Sequence, residues 1–442
     1  MIDPFDIGLI LSGVLVVLVI IGVRVAFAAA IVGFVGLVWI FSQKYGFAKG
    51  LDIAISMAGT IPHSKSTTYA LSLIPTFILI GYLAYFAGLT RHLFVVATRW
   101  FGWLPGGLGV ATVFSTAGFA AVSGASVATS AVFARIAIPE MLKIGYDRRF
   151  AAGVVAAGGT LASLIPPSAI LVIYAIIVEQ SVGRLLLAGF LPGAVSALIY
   201  GGLVVFMAKW RKDLGPPVTG FSWKQRFESL PGAFPIFAVV GIIIYCIYFG
   251  WGTPTEAGAL GAFVVLLMAL KNRVAWRDLQ GALLESAKLT VMIFTIIWGV
   301  LLFVRFLGFA DLPGAFAEFI AGIDQPRIVT LLMILACYAI LGMFMDAIGM
   351  LLLTLPVVYP AVIALGYDPI WFGIIVVKMA ELCLITPPIG LNCFVVAGVR
   401  SDITVQDVFR GATPFFVADV ITVGVLIAFP EIVTWLPNLI IK

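Results

Sequence analysis

The chain has 442 residues, of which 62% are hydrophobic and only 11% charged, with a net charge of +5. A water-soluble globular protein covers its surface with about 25% charged residues, so this composition excludes one and places the chain in lipid. The basic residues lie in short loops between apolar runs, which fits the positive bias of cytoplasmic loops and argues against a nucleic-acid surface.

A spanning helix needs about 20 mostly apolar residues, and the apolar runs predict roughly eleven to thirteen membrane segments. At the N-terminus, Ala26-Phe27-Ala28 has the form of a signal cleavage site. The apolar run before it is preceded by Asp3 and Asp6 rather than by basic residues, and another span follows at once. Two transmembrane helices are predicted there, not a removed signal. Residues 1–104 form the leading helices. The stretch FSTAGFAAVSGASVATSAVFARIAIPEM, 114–141, carries Ser123-Gly124-Ala125-Ser126 at its centre. Basic residues flank it on both sides (Arg91 and Arg99, then Arg135 and Lys143), so both ends face the cytoplasm. That predicts a helical hairpin over about 108–138 with a small, hydroxyl-bearing tip near the midplane; the competing reading is a plain small-residue helix contact.

A broken helix follows over about 150–180, carrying LIPPSAILVIYA at 164–175. Proline in a helix interior costs about 3 kcal/mol or more, so a double proline there is a deliberate break. After a span at 184–208, the linker Lys209–Glu228 holds Lys209, Arg211, Lys212, Lys224 and Arg226 and is predicted cytoplasmic. The region 182–325 thus combines a span, this linker and further helices such as Pro231–Gly250. In 326–402, a second interrupted stretch, ILGMFMDAIGMLLLTLPVVYP, has Gly342, Asp346 and Gly349 at the turn of a hairpin over about 328–365. A second broken helix over about 370–400 carries LITPPIGLNCFV, and 403–442 closes the chain with a last span.

The two proline pairs are 221 residues apart, and the same offset carries Gly145-Tyr146-Asp147 onto Gly366-Tyr367-Asp368, Pro139 onto Pro360 and Leu161 onto Leu382. The chain reads as an internal duplication. The first GYD loop holds Lys143, Arg148 and Arg149, whereas the second, VIALGYDPIW, holds no basic residue. The loops therefore belong on opposite membrane faces, and the copies are inverted. Counting outward from the basic linker puts the N-terminus outside. Inverted repeats with discontinuous helices are the mark of secondary transporters with midplane sites.

Non-helical backbone at membrane depth is tolerated only where it is buried in protein or lines a cavity. Carbonyls freed by the prolines, with hydroxyls and amides from Thr160, Ser163, Ser168, Thr386 and Asn392, are uncharged oxygen donors suited to Na⁺ rather than Ca²⁺. The half-helix starts after each proline pair favour an anion. Asp346 reads either as a group on the ion path or as a helix cap. Lys378 and Glu381, three apart, are expected to form a neutralised pair or a contact with another subunit, and Lys288 and Arg305 to snorkel to the interface. The four single cysteines read as buried hydrophobes. Two histidines, no HExxH, no GxSxG and no paired catalytic carboxylates argue against an enzyme.

These residues resemble the large membrane subunit of the tripartite ATP-independent periplasmic (TRAP) transporters. The resemblance rests on PGGLGVATVFSTAGFAAVSGASVATSA, GTLASLIPPSAILVIYA, GTPTEAGALGA and LITPPIGLNCFVV, and it covers nearly the whole chain. It implies an all-α polytopic elevator of the ion-transporter superfamily, with inverted repeats, two re-entrant hairpins and two discontinuous helices. The transport domain would comprise 105–181 and 326–402 and slide against a scaffold built from 1–104 and 182–325. It further implies Na⁺-driven uptake of an organic acid anion in the bacterial inner membrane. The implied partners are a periplasmic substrate-binding protein and a small four-helix membrane subunit, expected as a separate polypeptide because no fused four-helix segment precedes this chain.

One implied Na⁺ site joins Ser123, Gly124 and Ser126 to the break at Pro166, Pro167 and Ser168, with Thr160 beside it. The other joins Gly342 and Asp346 to Thr386, Pro387 and Asn392. Ser126, Thr129, Ser168, Asp346 and Asn392 are the implied substrate contacts, although some members carry an acidic residue where Thr129 stands. Two other functions are weighed against this one: a Na⁺/carboxylate symporter that needs no binding protein, and an ion channel with the hairpins as pore loops. No Walker A pattern supports ATP hydrolysis in this chain.

Overall fold

The computed structural model describes residues 2–322 and 325–440, and among these it contains helices and no strand. The first half runs α1 (Pro4–Ile20), α2 (Val25–Tyr45), α3 (Phe47–Ser66), α4 (Leu73–Phe86), α5 (Leu89–Phe101), α6 (Gly107–Ser123), α7 (Ser126–Lys143), α8 (Arg148–Thr160), α9 (Ala169–Ile177) and α10 (Val182–Trp210). A short α11 (Trp223–Ser229) lies in the linker. The second half runs α12 (Phe234–Tyr248), α13 (Pro254–Lys271), α14 (Trp276–Phe309), α15 (Leu312–Ala321), α16 (Arg327–Phe344), α17 (Ala347–Ala364), α18 (Pro369–Cys383), α19 (Leu391–Val399), α20 (Val405–Ala428) and α21 (Glu431–Ile440).

The 221-residue offset carries α6, α7, α8 and α9 onto α16, α17, α18 and α19 to within two residues at each end. The GYD triplets explain themselves locally. Gly145 (φ +86°) and Gly366 (φ +80°) take the left-handed turn that ends α7 and α17. The N–H of Tyr146 then bonds back to Met141 and that of Tyr367 to Val362. Asp147 and Asp368 cap the next helices, accepting from Phe150 N–H at 2.9 Å and Trp371 N–H at 2.8 Å. Each triplet is one helix stop followed by one helix start.

Contacts between chain-distant ends fix the relative direction of the halves. The start of α8 lies beside the linker and the start of α20: Asp147 N–H bonds to Leu214 O at 3.0 Å, and Arg149 to Asp407 at 2.9 Å. The start of α18 lies at the opposite end of α20, where Trp371 Nε1 donates to Leu426 O at 3.0 Å, and Tyr174 at the end of α9 donates to Pro369 O at 2.8 Å. Thus α8 and α18 enter from opposite ends, as inverted copies must. The core is made by these central pieces, with α8, α9 and α18 almost wholly buried. A close crossing of α8 and α20 is possible because glycines meet: a Cβ on Gly153 would stand 2.1 Å from the Gly411 carbonyl carbon.

Among the described residues, eight helices are long and apolar enough to cross a membrane, or nine when the bent pair Trp223–Gly232 and Phe234–Tyr248 counts as one span. That corrects the expected eleven to thirteen. The physical reason is the same device that defines the fold: the paired prolines split α8–α9 and α18–α19 into half-length pieces, and α1 and α6 are also short.

Candidate functional site

Hairpin α6–α7 turns at Gly124-Ala125, and its tip presses on the first helix break. Gly124 has φ +58°, and a Cβ there would stand 2.2 Å from the carbonyl oxygen of Pro167. Its own carbonyl accepts from Ala169 N–H at 3.3 Å. Thr129 donates its hydroxyl proton to Ala125 O at 2.9 Å, so in its 2.9 Å contact with Ser123 it is Ser123 that donates. The lone pairs of Ser123 Oγ stay free. At the break itself, the carbonyls of Ile165, Pro166 and Pro167 accept no backbone hydrogen bond among the described residues. Residues 161–175 are all buried. Ser168 spends its hydroxyl locally, donating to Ser163 O and accepting from Leu171 N–H at 3.3 Å as the cap of α9.

The second tip repeats the arrangement. Ile389 N–H donates to Met343 O at 3.3 Å, and Gly342 packs so tightly on α18 that a Cβ would stand 1.6 Å from Cys383 Sγ. Thr386 donates to Leu382 O at 2.5 Å, while the carbonyls of Thr386, Pro387, Pro388 and Ile389 accept no backbone hydrogen bond among the described residues. Asp346 caps α17, its Oδ1 accepting from Ile348 N–H at 3.1 Å and Gly349 N–H at 2.9 Å. Unlike the first break, this one is open: Pro387 and Pro388 are exposed. The start of α19 has no side-chain cap. No three His, Cys, Asp or Glu side chains gather in metal-binding geometry among the described residues, so hydroxyls and carbonyls are the donors both breaks present.

Two expected positions move. Asn392 leaves the second tip and crosses to the first half, donating to Ser126 Oγ at 2.8 Å and Ala156 O at 3.2 Å, while its buried Oδ1 has no partner. The offset pairs Asn392 with Leu171, so this polar strut exists on one side only. Thr160 turns away from the first tip and bonds to Ala157 O at 2.7 Å and Tyr200 OH at 3.3 Å.

The expected Lys378–Glu381 pair forms at 2.6 Å, and it is buried within the chain. Lys378 also meets Asp419 of α20 at 2.6 Å, and all three side chains are fully buried. Tyr200 of α10 donates to Asp419 at 2.5 Å. Asp419 and Tyr200 escaped the sequence reading, although Asp419 is the one charged residue between Arg410 and Glu431. Lys288 pairs with Glu285 at 2.9 Å, and Arg305 is exposed.

A family model described as "Tripartite ATP-independent periplasmic transporter, DctM component" matches residues 12–432. The chain belongs to this family as a large membrane subunit of a TRAP transporter. The permease is 35% identical to the C4-dicarboxylate TRAP transporter large permease of Pseudomonas aeruginosa, covering 87% of each chain. It is 30% identical to the sialic acid TRAP transporter large permease of Vibrio cholerae (84% of this chain, 87% of that one). It is likewise 30% identical to the 2,3-diketo-L-gulonate TRAP transporter large permease of Escherichia coli, over 98% of both. Among solved structures, the YdaH transporter of Alcanivorax borkumensis shares the fold of the permease, with a TM-score of 0.57 at 13% identity over 88% of this chain and 90% of that one. The relatives are transporter permeases, which supports a transport role rather than an enzymatic one.

Proposed function

We propose that the permease takes up a small organic acid anion together with Na⁺, after delivery by a periplasmic binding protein, by an elevator movement in the bacterial inner membrane. The observation that carries this reading is the contact of each hairpin tip with a helix break whose carbonyls lack donors. One Na⁺ would be held by Ser123 Oγ, the Gly124 backbone and the Pro166 and Pro167 carbonyls. The other would be held by the Thr386 and Pro387 carbonyls beneath the Gly342 end of α16. Backbone carbonyls without helical partners, next to unspent hydroxyl lone pairs, are what a weakly hydrated, uncharged oxygen cage for Na⁺ requires.

The anion would meet the uncapped start of α19, where the aligned peptide dipoles favour negative charge, near Asn392, whose amide already bonds to Ser126. Thr129 and Ser168 instead hold the first tip and the start of α9, and Asp346 holds the start of α17, so these three position the site. Residues 105–181 and 326–402 would move as the transport domain against the remaining helices. The N-terminus would be periplasmic, and a small four-helix subunit would extend the scaffold. The energetics suit the scheme: each positive charge moving down 100 mV gains about 2.3 kcal/mol, so a monocarboxylate moving with two Na⁺ gains from the membrane potential. In proteoliposomes under an inward Na⁺ gradient, an imposed inside-negative potential should accelerate uptake of a radiolabelled monocarboxylate. Uptake that is unchanged when Na⁺ is removed would overturn the reading.

A further inference from the structure

The buried cluster behind the breaks has an odd charge count. Lys378 supplies one positive charge, while Glu381 and Asp419 supply two carboxyls, and all three side chains are fully buried. With every group ionised the cluster would carry a net negative charge in the interior of a membrane protein, where an unpaired charge is strongly disfavoured. The donors are divided unequally. Asp419 Oδ1 accepts from Lys378 at 2.6 Å and from Tyr200 OH at 2.5 Å. Glu381 has one side-chain donor, Lys378, on Oε2, and each carboxyl keeps a second, buried oxygen with no hydrogen-bond partner, Oε1 of Glu381 and Oδ2 of Asp419. Of two carboxyls sharing one ammonium, the one with fewer side-chain donors is where a proton belongs.

We propose that the Lys378–Glu381–Asp419 triad is a proton-binding site, and that Glu381 holds one proton permanently, so that the centre of the permease is electrically neutral. The groups facing it support this balance. From α18 come Lys378 and Cys383, from α20 Asp419 and from α10 Tyr200; Tyr200 lies under the Lys378 ammonium at 5.2 Å from its ring centre. Of the titratable groups on the other elements packed against α18, Tyr174 of α9 donates to Pro369 O, Tyr338 of α16 accepts from Thr354, Asp346 of α17 caps its own helix and Tyr359 of α17 accepts from Gln180; Arg184 of α10 bonds to Asn438 and Asp407 of α20 to Arg149, and Lys209, Arg327, Cys337 and Arg410 are exposed. Glu431 of α21 is exposed. The repeat shows the same logic, because the offset places Thr160, a neutral hydroxyl, at the position of Glu381.

The test reads the proton directly. Glu381 is the one buried glutamate among the eight in the chain, so a protonated glutamate in purified permease is assignable. Infrared spectra at neutral pH should show a carboxylic acid C=O band that shifts when glutamate carboxyls carry heavy carbon, and not when aspartates do. Glu381→Gln, which keeps the shape and neutrality of the protonated group, should abolish that band and lower the yield of folded permease by less than about tenfold. The labelling arm needs no variant and stands if Glu381→Gln fails to fold. The absence of a glutamate band would overturn the proposal, as would a buried-acid band confined to aspartate. So would a glutamate band that vanishes on adding Na⁺, since the site would then hold the coupling ion.

Discussion

Gly124→Ala probes the tip–break contact with the smallest possible perturbation, one methyl group. Gly124 sits at φ +58° with its Cα facing the Pro167 carbonyl, and the added Cβ would stand 2.2 Å from that oxygen. The neighbour is backbone, so the hairpin tip itself must retreat. The left-handed conformation costs an alanine about 1–2 kcal/mol, and overpacking of this kind costs about 1–3 kcal/mol. Their sum, about 2–5 kcal/mol, corresponds to roughly 30-fold to a few thousandfold in the equilibrium that closes the tip on the break. The assay is the Na⁺ concentration that half-protects the purified permease against heat, since a ligand bound only to the native state stabilises it by mass action. That concentration should rise at least about 30-fold. Gly145→Ala is the control: its φ is +86°, yet nothing lies within 4 Å of the new methyl, so it bears only the conformational cost and leaves Na⁺ protection unchanged. A Gly124→Ala protein with the Na⁺ dependence of the parent would refute the idea that the tip and the break form one site.

Further outcomes follow from single contacts. Asp346→Ala should destabilise the start of α17 by about 0.5–2 kcal/mol, whereas Asp346→Asn, still an acceptor, should restore it; failure of the asparagine in uptake would show that the charge itself is used. Asn392→Leu, which copies its repeat mate Leu171, should leave folding nearly intact, because the Ser126 hydroxyl and Ala156 carbonyl can be re-satisfied, but should weaken anion uptake. A double mutant with Ser126→Ala should then add little beyond either single change. Gly153→Leu should abolish monodisperse permease in detergent by driving α8 off α20. At the surface, the Arg400 hydrogen bond holds the Asp402 carboxyl below its usual range. The stability it gives is present above the ordinary Asp value of about 3.9 and is lost as the pH falls through the lowered one. Asp402→Asn should remove that acid sensitivity at a cost within about 1 kcal/mol, read by thermal unfolding below neutrality.

What could be read from the sequence was what local chemistry decides. A double proline must break a helix wherever it sits, and the breaks fall at Thr160–Ala169 and Cys383–Leu391. The glycine and aspartate of each GYD triplet stop one helix and start the next without help from distant residues. Lys378 and Glu381 share a helix face by their spacing alone. Partners far away in the chain were not legible: the reach of Asn392 to Ser126 and Ala156, and the closing of the Lys378 cluster by Asp419 and Tyr200, depend on how the two halves interlock. The number of full-length spans was not legible either, because apolarity alone does not show whether a run stays helical for its full length.

The central claim is tested most directly by uptake of candidate organic acids into proteoliposomes that hold the permease with its small subunit. Na⁺ gradient and cognate binding protein would each be supplied or withheld. The account predicts saturable uptake only when both are present. Uptake with Na⁺ alone would contradict the dependence on a binding protein, and flux indifferent to Na⁺ would contradict the role given to the two proline breaks.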